Sequence, residues 1–283
     1  MCIIIDGKAT AAKIRLKLKS ECDNIFSVYK KRPKLAIVLV GNNSASEIYV
    51  NSKEKACSEV GIDSVVIRLP EEIDQSTVEE KIRELCIDPE INGLIVQLPL
   101  PDHINSEKML ELIPFEKDVD GLTSISAGRA FHGEECLLPC TPKGIIALLK
   151  EYKIPLQGKN AVIIGRSNLV GKPLSVLLLN ENCTITICHS KTNNLYEYTK
   201  RADLIIVAIG KDRFLNGADI KTGATVIDVG INRSKDGLHG DVDFDSVKNI
   251  AGYVTPVPGG VGPMTVAMLL QNTIEAFYIQ NKK

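Results

Sequence analysis

Apolar positions along the chain change period repeatedly, and each change marks a new element. Over residues 8–30 they recur at helical intervals, at Ile14, Leu18 and Ile25 among many charges, which predicts an amphipathic helix ended by Pro33. The unbroken apolar run 35–40 reads as a buried strand. Gly41-Asn42-Asn43-Ser44 separates it from a second helix, which Gly61 closes at its C-terminal end. A strand at 64–69, a helix over about 75–85 and a strand at 93–98 follow. This alternation implies βαβ units around a mostly parallel sheet.

The pattern then loosens. Pro99-Leu100-Pro101, a short helix near 106–112 and the run Lys117-Asp118-Val119-Asp120-Gly121 lead into an irregular stretch, 123–139. Thr141-Pro142-Lys143 opens a further helix with proline in its first turn, and the domain crossing is expected there. A second α/β unit follows, with strands at 161–164, 184–188, 204–208 and 225–229 and a helix over about 170–179. The Gly/Pro-rich run 255–263 precedes a last helix at about 264–280. The expected organisation is a first α/β domain over 1–140, joined by the C-terminal helix (about 264–283), and a second, Rossmann-like dinucleotide-binding domain over 141–263.

Composition narrows the classes. With 283 residues and 44 % hydrophobic content the chain can bury two cores. Its 34 basic and 35 acidic residues leave no excess for a nucleic-acid backbone. No apolar run approaches the roughly 20 residues of a membrane span, and Asp6 comes too early for a secretory signal, so a cytoplasmic protein is expected. Eight cysteines without a C-x-x-C pair, and scattered histidines, point to reduced thiols and no metal centre.

Two stretches carry candidate chemistry. Tyr49 and Lys53 lie four residues apart, on one face of the predicted second helix; alone, such a pair is ordinary helix surface. Gly165-Arg166-Ser167-Asn168-Leu169-Val170-Gly171 sits between a strand and a helix, where free amides and the helix dipole can hold pyrophosphate. It departs from G-x-G-x-x-G, with Ser167 at the second glycine and Gly171 one position late, and a plain βα turn with a solvent-facing arginine is the alternative. The next strand ends in His189-Ser190-Lys191-Thr192, without the carboxylate that favours NAD. Arg166 could supply charge and Ser190 a hydroxyl, which favours NADP.

Taken together, the segment Ser46–Lys53, Val96–Pro101, Lys117–Thr123, Pro139-Cys140-Thr141-Pro142, Gly165-Arg166-Ser167 and Pro256–Thr265 resemble the bifunctional methylenetetrahydrofolate dehydrogenase/methenyltetrahydrofolate cyclohydrolase family over nearly the whole chain. The resemblance implies two α/β domains with an active-site cleft between them. It also implies NADP-dependent oxidation of 5,10-methylenetetrahydrofolate, hydrolysis of the methenyl product to 10-formyltetrahydrofolate, no metal, and a homodimer. Lys53 matches the family's essential lysine and general base, Tyr49 its partner, Gln97 the glutamine that contacts the lysine, and Asp120 the pterin-binding aspartate, with Asp118 a structural neighbour. Leu98, Pro258, Gly259 and Gly260 are expected at the substrate, beside Pro263. Gly165, Arg166, Ser167, Ser190, Ile231 and Thr265 are expected at the cofactor.

An ammonium beside a methenyl cation would be repelled, so Lys53 has to act uncharged, and an amide partner adds no negative charge to hold its proton. Short-chain dehydrogenases share the Tyr-x-x-x-Lys spelling, but there the glycine turn precedes the pair, the reverse of this order. A noncatalytic nucleotide-binding regulator would need the turn without Lys53, Gln97 and Asp120.

Overall fold

Two parallel sheets organise the chain, one in each of two units. The computed structural model describes residues 2–234 and 237–282. In chain order the elements are β1 (Ile3–Ile4), α1 (Gly7–Tyr29), β2 (Lys34–Val40), α2 (Ser44–Val60), β3 (Asp63–Leu69), α3 (Gln75–Ile87), β4 (Gly93–Val96), α4 (Ser106–Leu110), α5 (Ser124–His132) and α6 (Cys140–Glu151). They continue with β5 (Asn160–Ile164), α7 (Gly171–Asn180), β6 (Thr184–Cys188), α8 (Leu195–Thr199), β7 (Leu204–Val207), β8 (Thr225–Asp228), β9 (Asn232–Ser234), β10 (Gly237–His239), α9 (Phe244–Val247), β11 (Tyr253–Val254) and α10 (Val261–Gln280).

One unit comprises Lys13–Cys140 and Val266–Lys283, with a parallel sheet in the order β3-β2-β4. The central strand β2 is apolar from Leu35 to Val40 because both its faces are buried. Val38 and Val40 pack in one cluster with Val78 and Ile82 of α3, Val96 of β4 and Met109 of α4. Local chemistry sets the helix ends. The Asn43 side chain accepts from the Ala45 and Ser46 amides to start α2, and Gly61, at φ 85°, closes it by donating to the Cys57 carbonyl.

The stretch expected to be irregular, 123–139, contains the nine-residue helix α5. Thr123 caps it through the Ser126 amide and Gly133 ends it at φ 71°. A helix this short, with Gly128 in its interior, leaves too few apolar repeats to register as a period.

The other unit comprises Met1–Ala12 and Thr141–Thr265, with a parallel six-stranded sheet ordered β1-β11-β8-β7-β5-β6. The chain leaves β5 for β6 on one side, then crosses to β7 on the other, so the strand order reverses at the carboxyl ends of β5 and β7. That reversal is the topological switch point at which open α/β sheets bind ligands. Strands β9 and β10 of the same unit pair antiparallel.

The first twelve residues were expected with the first domain but belong to this unit. Ile3 and Ile4 pair in parallel with Tyr253 and Val254, and the Lys8 amide donates to the Gly259 carbonyl. Gly7 lies so close to the next loop residue that a Cβ there would meet the Gly260 oxygen at 1.8 Å. A two-residue strand carries no period by which the sequence could reveal this. Likewise, α10 starts at Val261, earlier than expected, because Gly262 and Pro263 fit its first turn, where an absent proline N–H breaks no helical bond.

Candidate active site

On α2, Ser46, Tyr49, Val50 and Lys53 follow helical spacing, so the buried Val50 anchors the face beside which Lys53 emerges half-buried. Lys53 Nζ donates to Gln97 Oε1 at 3.0 Å, and among the described residues Lys53 forms no ion pair. Of the acids on the same helix, Glu47 and Glu54 both face Arg68 and Glu59 faces Arg15 instead. Gln97 is buried and fixed from three sides. Its backbone N–H donates to the Val38 carbonyl at 2.8 Å, its Nε2 to the Leu98 carbonyl at 2.7 Å, and its Oε1 receives the lysine. Tyr49 is 53 % exposed. Ser46, not singled out from the sequence, is buried on this helix, and its Oγ has no hydrogen-bond partner among the described residues.

Asp118 and Asp120 separate cleanly. Asp118 is buried, its carboxylate accepting from the Leu122 and Thr123 amides at 3.1 and 2.9 Å, and burial raises its pKa above the ordinary carboxylate range. It shapes the turn into α5. Asp120 is half-buried, with Oδ1 3.7 Å from the Cys140 thiol, which donates chiefly to the Val119 carbonyl at 3.2 Å. Gly121, at φ 67°, lets this loop approach the following segment, since a Cβ would meet Pro139 N at 2.5 Å. Asn272 of α10 bolts the two together, donating to the carbonyls of Val119 and Leu138 at 2.7 and 2.8 Å. Lys117 is buried and donates to the Asp88 and Leu85 carbonyls at the end of α3, where the helix dipole favours a cation.

In the other unit, residues 165–171 run from the end of β5 to the start of α7. Gly165 takes φ 124°, and a Cβ on it would lie 2.4 Å from the Ala208 oxygen; one on Gly171 would lie 2.2 Å from the Gly165 oxygen. Both positions therefore require glycine, and they hold the chain in a tight turn beneath the α7 amides. Ser167 Oγ accepts from the Val170 amide at 3.2 Å. Arg166 is exposed and has no hydrogen-bond or ion-pair partner among the described residues, and Ser190 is exposed beyond β6. The turn after β6 is closed by the Thr192 hydroxyl and the His189 ring, so no carboxylate stands there. A dinucleotide fits this edge: two glycines make room for its backbone approach, and an unpaired guanidinium stands beside the turn.

Ile231 follows β8 and is 55 % exposed. Gly259 has φ 105°, and a Cβ on Gly260 would meet the Pro256 oxygen at 2.5 Å, so the Pro258–Gly260 loop is compact. Thr265 Oγ1 lies 2.9 Å from Thr141 Oγ1. Thus Lys53 and Gln97 are brought into direct contact, with Tyr49, Leu98 and Asp120 in the same unit. Gly165, Arg166, Ser167, Ser190, Ile231, Pro258, Gly259, Gly260 and Thr265 lie in the other. Sequence reading passed over Asp228 and Asp241, two buried acids at the carboxyl edge of the larger sheet. None of the eight cysteines is in a disulfide; burial pushes the Cys22 and Cys57 thiols to about 12, so both stay protonated at neutral pH.

A doubly wound sheet with a glycine turn at its switch point, accompanied by a second α/β unit with a three-stranded sheet and an amide-held lysine, defines a dinucleotide-dependent α/β enzyme. The chain belongs to the tetrahydrofolate dehydrogenase/cyclohydrolase family: residues 5–120 match the model of its catalytic domain and 139–281 that of its NAD(P)-binding domain. It is 51 % identical over 277 residues to the bifunctional protein FolD of Halalkalibacterium halodurans, covering 97 % of this chain and 98 % of that one. The FolD of Thermodesulfovibrio yellowstonii is 51 % identical over 280 residues, 99 % of this chain and 98 % of its own. The crystal structure of the bifunctional enzyme FolD from Campylobacter jejuni superposes with a TM-score of 0.97 at 49 % identity, covering 99 % of both chains. That of the Trypanosoma brucei enzyme, complexed with NADP cofactor and inhibitor, superposes with a TM-score of 0.93 at 35 % identity, over 100 % of this chain and 99 % of that one.

Proposed function

We propose that Lys53 is the general base of the hydrolytic step in a bifunctional NADP-dependent methylenetetrahydrofolate dehydrogenase/methenyltetrahydrofolate cyclohydrolase. As a member of this family the chain is an enzyme with both activities. Bound at the edge lined by Gly165, Arg166, Ser167 and Ser190, NADP+ supplies the acceptor for the hydride that leaves the bridging carbon of 5,10-methylenetetrahydrofolate. Ile231 and Thr265 border its nicotinamide. The methenyl product carries its charge on that carbon, which water attacks; Lys53 removes a proton from the water, one carbon–nitrogen bond breaks, and the freed nitrogen takes up a proton. The product is 10-formyltetrahydrofolate, with one proton released.

The observation that carries this reading is the 3.0 Å contact from Lys53 Nζ to Gln97 Oε1. A neutral acceptor orients the amine without the negative charge that would favour an ammonium, and a base beside a cation has to be uncharged. Asp120 holds the pterin ring, whose adjacent N–H and amino donors match two carboxylate oxygens. Tyr49, Leu98, Pro258, Gly259 and Gly260 complete the substrate contacts. We place the enzyme in the cytoplasm; no helix among the described residues is long and apolar enough to cross a membrane. We also infer a homodimer formed along β3, an edge strand with half-buried Val65, Val66 and Ile67.

An absorbance assay with methylenetetrahydrofolate and each cofactor, following appearance and decay of the methenyl product, tests the scheme. Rapid methenyl formation with NADP+ and its decay to the formyl product are expected. A methenyl product that persists at the rate of uncatalysed hydrolysis would remove the proposed role of Lys53.

A further inference from the structure

The carboxyl edge of the larger sheet contains an acid pair that the scheme above does not use. Asp241 is 0 % exposed and sits between the loops that follow β7 and β8. Its Oδ2 accepts from the backbone N–H groups of Ile209 and Gly210 at 2.7 and 2.9 Å. Its Oδ1 accepts from the Lys211 N–H at 2.7 Å and from Asn232 Nδ2 at 3.0 Å. Four donors saturate the two oxygens without any cation. Three consecutive amides converging on one anion form a nest of the kind that elsewhere binds phosphate. Here the protein's own carboxylate fills it, which leaves the α7 amides to take the pyrophosphate.

Asp228, 3 % exposed, holds the second loop. Its Oδ1 accepts from the N–H groups of Gly230 and Asp241 at 3.0 and 2.9 Å, and its Oδ2 from that of Val242 at 2.9 Å. The two acids are therefore linked through the Asp241 amide. Glycine leaves the space they occupy: a Cβ on Gly230 would lie 2.2 Å from the Asp241 carboxyl carbon, and one on Gly240 would lie 1.8 Å from Asp228 Oδ2. Ile231, exposed between them, is bracketed by Gly230, bound to Asp228, and Asn232, bound to Asp241.

We propose that Asp241, coupled to Asp228, is a positioning residue for NADP. It locks the 209–211 and 230–232 loops in their ligand-bearing arrangement before the cofactor arrives, and so presents Ile231 to the nicotinamide as a preformed wall. The role rests on the reading that this edge binds NADP. It acts through backbone amides, since both carboxylates are enclosed. Preorganisation of this kind raises affinity by removing the cost of ordering the loops on binding.

Hydrogen exchange of the cofactor-free protein tests the arrangement without any substitution. The amides of Ile209, Gly210 and Lys211 should be protected before NADP is added; free exchange that becomes slow only with NADP would overturn the proposal. Calorimetric titration of NADP supplies the second arm. In Asp241→Asn the side-chain amide turns a donor towards backbone donors, and in Gly230→Ala the new methyl displaces the carboxylate without removing it. Measured below the melting transition of each variant, both should bind NADP at least tenfold more weakly. Lys221→Ala, which breaks only an exposed ion pair with Asp203, should bind it unchanged. Lowered melting temperature with unaltered NADP affinity in the two edge variants would leave Asp241 a purely structural residue and refute its positioning role. A wild-type protein that fails to bind NADP would instead overturn the cofactor reading itself.

Discussion

Lys53 Nζ and Gln97 Oε1 lie 3.0 Å apart, an amine held in place by an acceptor that carries no charge. Gln97 has little freedom to move, since its own amide and backbone N–H are both engaged. The consequence is an oriented lysine on a helix, with no carboxylate partner among the described residues.

Removing the amine should therefore separate the two activities. Lys53→Met keeps the length and apolar stem of the side chain but has no proton acceptor of comparable basicity. Hydrolysis of the methenyl substrate should fall by about 10²–10⁴-fold, the usual contribution of a positioned base, while calorimetric NADP affinity and the melting temperature stay close to wild type. Gln97→Glu should also slow hydrolysis, because a carboxylate at that distance favours the ammonium. Hydrolysis by Lys53→Met at the wild-type rate would exclude the lysine as base.

Asp118 and Asp120 should fail in different ways. Asp118→Asn places an amide where two backbone donors converge, so about 1–3 kcal/mol of stability should be lost in denaturant unfolding, with a nearly normal KM in the protein that remains folded. Asp120→Asn makes no such internal demand and should instead raise the KM for the folate substrate at least tenfold at unchanged stability. Equal stability losses in the two variants would place Asp120 among the structural acids.

Much of the architecture was legible in the chain because burial imposes simple patterns. The apolar run of β2 and the βα turn at Gly165 could be read directly, since a strand covered on both faces has to be apolar and a turn where a Cβ would come within 2.4 Å of a carbonyl oxygen has to be glycine. What was not legible depended on long-range partners. Ile3 and Ile4 become a strand only because Tyr253 and Val254 lie beside them. Lys53 and Gln97 stand 44 residues apart and gain meaning only through the family motifs, while Ser46 looks like any helix serine until its hydroxyl proves buried and without a partner among the described residues. Asp228 and Asp241 resemble solvent-facing charges in sequence, and nothing in the apolar period around them discloses that seven hydrogen bonds converge on their carboxylates.

Arg166 should set cofactor preference. Its guanidinium is exposed and without a partner among the described residues, so substitution removes charge without breaking an internal contact. Arg166→Ala should weaken NADP by at least tenfold, consistent with about 1.5–3 kcal/mol for a charge-assisted hydrogen bond, and leave NAD affinity nearly unchanged. Calorimetric titration of both dinucleotides checks this, and equal losses for the two would remove the 2'-phosphate contact.

Asp228 should make stability depend on pH in an unusual direction. Burial pushes its pKa up to about 7, and the neighbouring Asp241 charge adds to the effect, while its three amide donors oppose it. The folded chain thus retains a proton that the unfolded chain releases near 3.8, the ordinary value for aspartate. A group raised in the folded state contributes stability that is fully present below its unfolded pKa and is lost as pH rises through its folded one. Relative to Asp228→Asn, the wild-type protein should accordingly lose stability between pH 4 and about 7.5, by up to about 4 kcal/mol. Denaturant unfolding of both proteins across that range measures the difference directly. Carboxyl carbon NMR of the wild type should place the Asp228 midpoint near 7. A midpoint in the ordinary aspartate range, with parallel stability curves for the two proteins, would mean that the amide donors outweigh burial and hold the carboxylate ionised throughout.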